Sequence, residues 1–217
     1  MPDDNHNPRR DRRASIPNRL TLARLAITVA VIAVLALYDH PTGPAWALPL
    51  AAILFVAAAL TDTLDGYLAR RWNVVSRFGR IMDPFADKAL VLGSFIMLAG
   101  PGFTAADGRL ITGLAPWMVV LILARELLVT SLRGVMESIG VDFSATWTGK
   151  GKMILQSVVV PLVLTLIWLG PRDELLDPAP AVRITIESAV WLTVIVTVLS
   201  GIPYVKTAIR ASRDAGG

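Results

Sequence analysis

The chain has 217 residues, of which 54% are hydrophobic and 18% charged, and its mean hydropathy is +0.58. Soluble domains carry about a quarter charged residues, so this composition indicates a chain that lies mostly in a lipid bilayer. The absence of cysteine excludes disulfides, thiolate metal sites and iron–sulfur clusters. The net charge of +4 could indicate a nucleic-acid partner, but basic residues beside apolar helices are explained more simply as topology signals and contacts with membrane lipids. No nucleic-acid partner is therefore predicted.

Six segments approach the roughly 20 apolar residues that a membrane-spanning helix needs. In chain order they are 22–38, 45–61, 85–100, 111–136, 153–169 and 184–205, and glycine- and proline-rich stretches separate several of them. The sequence therefore predicts an all-α integral membrane protein with six transmembrane helices. They form one transmembrane domain over residues 16–210, between a polar, basic N-terminal tail at 1–15 and a short C-terminal tail at 211–217.

The basic residues are distributed unevenly among the predicted loops. Eighteen of the 21 lie on one side of the six spans, and Arg109, Arg172 and Arg183 lie on the other. The positive-inside rule then predicts a multi-pass protein of the cell (inner) membrane with both termini in the cytoplasm. A cleavable signal peptide ending near residues 45–47 is an alternative, but it is disfavoured by the length of the apolar run and by Arg24 within it.

Four aspartates border the loop between the second and third predicted spans. If the second helix continues past Thr61, Asp62 and Asp65 share one face, and Asp83 and Asp87 share a face of the third helix. The short loop makes these helices antiparallel neighbours, so the four carboxylates can converge at the cytoplasmic surface. Such acids repel one another unless cations neutralise them, and oxygen ligands favour magnesium, manganese or calcium.

The alternative is that each aspartate caps a helix or pairs with a nearby arginine. Asp83 precedes Pro84 at the expected start of the third helix, where it is well placed to cap. For Asp62 and Asp65 capping is a weak explanation, because they follow an apolar run at a helix end whose dipole disfavours anions. A positive group is therefore expected opposite them. Gly66 suggests a close approach to the backbone at this point.

The pattern from Asp62 to Asp87 resembles the signature of the CDP-alcohol phosphotransferase family. It reads Asp62-x-x-Asp65-Gly66-x-x-Ala69-Arg70, eight residues, then Gly79-x-x-x-Asp83-x-x-x-Asp87. The resemblance implies a fold of six transmembrane helices, usually a homodimer. It also implies transfer of the phosphatidyl group of a CDP-linked lipid to an alcohol, with release of CMP.

The resemblance also implies a role for each matching residue. Asp62, Asp65 and Asp83, with Asp87 contributing, would hold two divalent cations, Mg²⁺ or Mn²⁺, and Asp87 would take the proton from the acceptor hydroxyl. The residues expected at the CDP-lipid are Asp62, Asp65, Gly66, Ala69, Arg70 and Gly79. The small residues would leave room for cytidine, and Arg70 would lie near the diphosphate.

The acceptor is inferred from other segments. Residues 17–24, 84–88, 124–126, 131–133 and 148–152, with Gln156, resemble the branch of the family that joins CDP-diacylglycerol to glycerol 3-phosphate. The second phosphate of that acceptor needs cations, and the candidates are Arg125, Arg133, Lys150 and Lys152. For Arg133 and Lys152 a role as simple topology anchors is equally open.

Two other functions remain open from the sequence. An inositol phosphate acceptor would use a similar basic pocket. A divalent-cation transporter would also use membrane carboxylates, but it should continue them as a ladder through the other spans, and the sequence has none.

Overall fold

The computed structural model describes residues 8–72, 77–138, 147–170 and 180–214. Within these ranges, the structure describes the backbone but not the side chains of residues 8–19, 65–72, 77–81, 83–84, 147–148, 150 and 212–214. The described chain is helical almost throughout, and it contains no β-strand beyond an isolated bridge between Thr104 and Leu110. The prediction of an all-α chain is confirmed for this part of the protein.

The described residues form seven α-helices and one 3₁₀ turn. The helices are α1 (Pro8–Ala36), α2 (Ala47–Trp72), α3 (Arg77–Leu98), α4 (Pro116–Ser138), α5 (Trp147–Leu169), α6 (Pro180–Leu199) and α7 (Ile202–Asp214), and the 3₁₀ turn is Pro101–Phe103. Helix α1 thus begins at Pro8, inside the segment that the sequence assigns to the N-terminal tail.

Helix α1 packs against α2 and α3, α2 packs against α5, and α6 packs against both α4 and α5. The core between them is apolar and includes the fully buried Leu48, Phe55, Phe95, Ile122 and Leu164. Helices α1 and α2 are consecutive and pack together across a short connection. Residues about 18–23 Å from that connection on either helix therefore lie at a similar depth.

Three helical segments in the described ranges are long and apolar enough to cross a membrane: 47–64, 151–169 and 180–211. Helix α1 adds a shorter apolar stretch at 20–36. Large apolar side chains such as Ile53, Ile154 and Leu169 are about two-thirds exposed on the outside of the bundle. A soluble protein buries such residues, so these surfaces indicate contact with lipid. The chain has the features of a membrane protein, and the number of six spans stays a prediction.

The last predicted span, 184–205, is divided in the structure. Helix α6 ends at Leu199 and α7 begins at Ile202, with a turn at Ser200 and Gly201. Pro203 lacks a backbone N–H and would disrupt the interior of a continuous helix. It is tolerated in the first turn of α7, because the N–H groups there have no partner within the helix. The Ser200 hydroxyl donates to the Thr197 carbonyl and satisfies one acceptor at the end of α6. The expectation of one continuous helix is wrong here.

Helix α3 also differs from the expectation, because it begins at Arg77 and not near Phe85. Asp83 is therefore inside the helix, and its predicted role as an N-cap is wrong. The helix runs through Pro84, which has no backbone N–H to donate to the helix ladder.

Leu48 and Leu60 lie on α2 and differ in burial, being 0% and 59% exposed. We expect Leu48→Ala to destabilise the protein by about 2–5 kcal/mol, because it removes buried methyl groups and leaves a cavity. Leu60→Ala is the control and should change the stability much less. Thermal unfolding in detergent measures both, and equal losses would contradict this assignment of the core.

Candidate active site

A cavity of about 440 Å³ opens between helices α3, α4, α5 and the start of α7. Its lining is unusually rich in charge for the interior of an apolar bundle, and the charged side chains are Asp87, Lys88, Arg125, Glu126, Arg133, Glu137 and Lys152. Val91, Leu92 and Val129 complete the apolar part of the wall. Ionisable groups are expensive at membrane depth, so such a cluster marks a functional site.

Asp62 meets a buried arginine from α1. Arg24 Nη1 lies 2.6 Å from Asp62 Oδ1, and the side chain of Arg24 is 1% exposed while that of Asp62 is 31% exposed. Arg24 lies 12 residues before the end of α1 and Asp62 lies 15 after the start of α2, so the two residues reach a similar depth. Arg24 is thus the positive group that is expected from the sequence opposite Asp62.

Asp87 lies on α3, where the charges of Asp62, Lys152, Arg24 and Glu126 all act on it. These four groups come from α2, α5, α1 and α4 respectively. The first predicted metal ligand and the predicted base are therefore close enough to interact electrostatically. Asp87 also lines the cavity, together with Arg125, Glu126 and Lys152.

The wall opposite α3 consists of Arg125, Glu126 and Lys152. Arg125 Nη1 donates to Glu126 Oε1 at 3.0 Å, and Lys152 Nζ donates to the same oxygen. All three side chains are 9–10% exposed. Two cations from different helices thus share one buried carboxylate.

Arg125 is also held by the turn between α6 and α7. Its Nη2 donates to the Ser200 carbonyl at 3.4 Å, and its guanidinium carbon lies 5.9 Å from the centre of the Tyr204 ring. A Cβ added at Gly201 would lie 3.3 Å from Arg125 Cγ, so the glycine leaves room for the arginine stem. The turn at Ser200 and Gly201 therefore holds the Arg125 side chain in place at the cavity.

Arg133 lies two turns beyond Arg125 on α4 and lines the same cavity. The Nε atoms of Arg125 and Arg133 are both buried and have no hydrogen-bond acceptor among the described residues. Lys88 Nζ donates to Thr130 Oγ1 at 2.7 Å across the cavity, between α3 and α4. Gln156 lies one turn above Lys152 on α5, and its amide donates to Thr197 Oγ1 at 3.1 Å.

The structure brings together five of the predicted site residues: Asp62, Asp87, Arg125, Arg133 and Lys152. The side chains of the others lie outside the described residues, namely Asp65, Gly66, Ala69, Arg70, Gly79, Asp83 and Lys150. Their backbones lie on α2, α3 and α5. Asp65 follows Asp62 by three residues within one continuous helix, and Asp83 precedes Asp87 by four within another. The condition that the second helix continues past Thr61 is therefore met.

Sequence reasoning missed Arg24 as a partner of Asp62 and Glu126 as the centre of the basic wall. From the sequence, Arg24 counts as a topology signal and as part of segment 17–24, which resembles one branch of the family. An arginine inside an apolar run already indicates a buried partner. Glu126 gave a weaker signal, since an acid beside an arginine is common on helix surfaces. Tyr204 gave none.

Asp62 and Asp87 are the predicted metal ligands whose side chains the structure describes. Asp62 and Asp87 supply oxygen ligands of the type that Mg²⁺ and Mn²⁺ prefer. Among the described side chains, no group of three or more acids or histidines is arranged to hold a metal ion. The side chains of Asp65 and Asp83 lie outside the described residues. The chemistry of the two described carboxylates therefore fits a hard cation.

The profile of the CDP-alcohol phosphatidyltransferase family matches residues 14–199. A protein of Bacillus subtilis named CDP-diacylglycerol–glycerol-3-phosphate 3-phosphatidyltransferase is 36% identical over 198 residues, covering 88% of this chain and 93% of the relative. A protein of the same name from Cereibacter sphaeroides is 37% identical, with 75% and 67% covered. A probable phosphatidylglycerophosphate synthase of Mycobacterium tuberculosis is 34% identical, with 96% and 87% covered.

The matched region includes Arg24, the four aspartates and the whole basic wall up to α6. The chain therefore belongs to the CDP-alcohol phosphatidyltransferase family, and it is an enzyme. The resemblance inferred from the Asp62 to Asp87 pattern is confirmed.

Arg24→Met should destabilise the protein, because it leaves the partly buried Asp62 carboxylate without its closest cation. We expect a loss of about 1–3 kcal/mol, below the 3–5 of a fully buried pair because Asp62 is partly exposed. Arg183→Met is the matched control, since its Glu187 pair at 3.1 Å is about half exposed and should contribute under about 1 kcal/mol. Thermal unfolding of both variants in detergent tests this, and equal shifts would contradict it.

Proposed function

We propose that this enzyme transfers the phosphatidyl group of CDP-diacylglycerol to glycerol 3-phosphate, forming phosphatidylglycerol phosphate and CMP. The observation that carries the proposal is the basic wall of Arg125 and Lys152 beside Asp87 in one cavity. The names of two relatives, at 36% and 37% identity, contain the same two substrates, and a third relative at 34% identity is named a probable phosphatidylglycerophosphate synthase.

An acceptor with its own phosphate needs cations apart from those that bind the donor. Arg125, Arg133 and Lys152 provide them at the cavity, and Lys150 is proposed to add a fourth from the start of α5. A guanidinium makes two charge-assisted hydrogen bonds to a phosphate in a fixed plane. The buried Nε–H groups of Arg125 and Arg133 add donors that no described side chain satisfies. A neutral amino alcohol would have no use for this wall.

The reaction forms one bond and breaks one. The acceptor hydroxyl oxygen bonds to the phosphorus that carries the diacylglycerol, and the bond from that phosphorus to the oxygen of CMP breaks. Asp87 takes the hydroxyl proton, and the released CMP keeps the electron pair of the broken bond. With the phosphate of glycerol 3-phosphate held by Arg125 and Lys152, its hydroxyl can reach Asp87 across the cavity. This positioning supplies much of the rate enhancement that such a transfer needs.

Asp62, Asp65 and Asp83, with Asp87, are proposed to hold two divalent cations, Mg²⁺ or Mn²⁺. Bound cations would neutralise the diphosphate and stabilise the charge that develops on the leaving oxygen. Gly66, Ala69 and Gly79 are proposed to leave space for cytidine, and Arg70 to lie near the diphosphate. Arg24 keeps Asp62 oriented from the side of α1.

The enzyme is proposed to span the cell (inner) membrane six times as a homodimer, with both termini and the site in the cytoplasm. The distribution of 18 basic residues against three supports this orientation. The dimer is supported by the family resemblance alone. Assay of purified protein with CDP-diacylglycerol and a panel of acceptors, including glycerol 3-phosphate, inositol phosphate, inositol and serine, tests the function. Faster turnover with inositol phosphate would contradict the acceptor and leave the family assignment unchanged.

Asp62→Asn, Asp65→Asn and Asp83→Asn should each abolish CMP release in the presence of magnesium or manganese. Each removes a charge that the proposed cations need, and chelation of divalent cations should have the same effect on the unmodified enzyme until metal is restored. Asp107→Asn is the control, because Asp107 is exposed on the connection between α3 and α4, where its carboxylate contacts Arg109. Near-normal turnover by any of the three variants would contradict the two-metal assignment.

Arg125→Ala should raise the KM for glycerol 3-phosphate much more than the KM for CDP-diacylglycerol. Loss of charge-assisted hydrogen bonds to a phosphate costs about 2–3 kcal/mol, which corresponds to about 30- to 150-fold. Arg125→Lys should recover part of the affinity, since it keeps the charge without the planar fork. Initial rates against each substrate in turn measure the effect. Equal losses toward donor and acceptor would indicate a structural role for Arg125.

A further inference from the structure

Glu126 is a buried acid in the wall of a cavity that is proposed to bind an anion. An acid at such a place repels a phosphate, so its presence needs an explanation. Its side chain is 9% exposed, and its Oε1 accepts from both Arg125 and Lys152. The two cations belong to α4 and α5, so one carboxylate oxygen joins these helices at the cavity.

Without Glu126, Arg125 and Lys152 would be two buried like charges on facing helices. Repulsion between them is strong away from water, and the side chains would separate. Arg125 is also attached to the Ser200 carbonyl and the Tyr204 ring, on the side of α6 and α7. We therefore expect Lys152 to move away while Arg125 stays at the turn.

Glu126 uses only part of the donor capacity of its two partners. A guanidinium has five N–H groups and an ammonium has three, and Glu126 Oε1 takes one from each. The remaining donors of both groups are then held near each other at the cavity wall. Two cations placed side by side suit the several oxygens of a phosphate monoester.

We propose that Glu126 is a positioning residue, which holds Arg125 and Lys152 side by side so that both bind the phosphate of the acceptor. The proposal rests on the proposed function of this cavity. Glu126 contacts neither substrate. The negative charge of Glu126 weakens the attraction of the wall for any anion. The same charge holds Arg125 and Lys152 in the geometry in which both can bind one phosphate.

The test compares Glu126→Gln and Glu126→Asp with the unmodified enzyme in detergent, with both substrates varied. Glu126→Gln keeps the shape and loses the charge, so we expect the KM for glycerol 3-phosphate to rise about tenfold or more. The KM for CDP-diacylglycerol and the kcat at saturating acceptor should stay within about twofold. Glu126→Asp restores the charge on a shorter stem and should recover part of the affinity.

Glu137→Gln is the matched control for charge alone. Glu137 is an exposed acid on the same helix and borders the same cavity, so its substitution removes one negative charge without breaking the Arg125–Glu126–Lys152 contacts. A simple charge effect predicts that both substitutions lower the KM for glycerol 3-phosphate. The positioning role predicts opposite behaviour, with a rise for Glu126→Gln and no rise for Glu137→Gln.

An unchanged or lower KM for glycerol 3-phosphate in Glu126→Gln would overturn the positioning role, as would an equal rise for both substrates. If Glu126→Gln does not fold, Glu126→Asp decides: a selective rise in the same KM, smaller than that of Arg125→Ala, supports the role, and an unchanged value overturns it. Failure of the proposed function is seen separately, because the unmodified enzyme would then not turn over glycerol 3-phosphate or would turn over inositol phosphate faster.

Discussion

The pairing of charges inside an apolar bundle is the constraint on which the rest of this structure depends. An unpaired ion in such surroundings costs several kcal/mol, so each buried cation requires a partner on a neighbouring helix. Arg24 joins α1 to α2 through Asp62, and Glu126 joins α4 to α5 through Lys152. The functional groups thus also determine which helix faces meet. The Arg24–Asp62 contact and the Glu126 contacts could not form if either pair of helices rotated by a quarter turn.

The two groups of charge meet at α3. Asp87 is subject to the charges of Asp62 and Arg24, on α2 and α1, and to those of Lys152 and Glu126, on α5 and α4. A phosphatidyl transfer needs this neighbourhood, because the donor diphosphate and the acceptor phosphate repel each other and must be brought together. The cations of the basic wall can neutralise the acceptor phosphate. The carboxylates that are proposed to bind divalent metal can, with that metal, neutralise the donor diphosphate. The protein then contributes mainly position and electrostatics, which suits phosphoryl transfer.

The end of the chain contributes to the site through a break in a helix. The turn at Ser200 and Gly201 provides a free carbonyl for Arg125 and a place without a side chain for its stem. Helix α7 then continues along α4, where Tyr204 packs against the guanidinium and, with Ala208, joins Val129 and Met136 in a second apolar cluster. A continuous helix would keep the Ser200 carbonyl in its own hydrogen-bond ladder.

The sequence by itself determined the class of the protein and the spacing of its acids. Composition and apolar segments are local properties, and they predicted an all-α membrane chain. The spacing of Asp62 and Asp65 places both on one face if the helix continues past Thr61, as α2 does. The tertiary structure alone decided that Arg24 meets Asp62, that Glu126 is shared by Arg125 and Lys152, and that the last span bends at Gly201. The physical reason is that helical periodicity states which residues share a face, whereas contacts between helices depend on which faces pack together. That choice is made by the whole bundle, through burial and charge pairing between residues as far apart in sequence as Arg125 and Ser200.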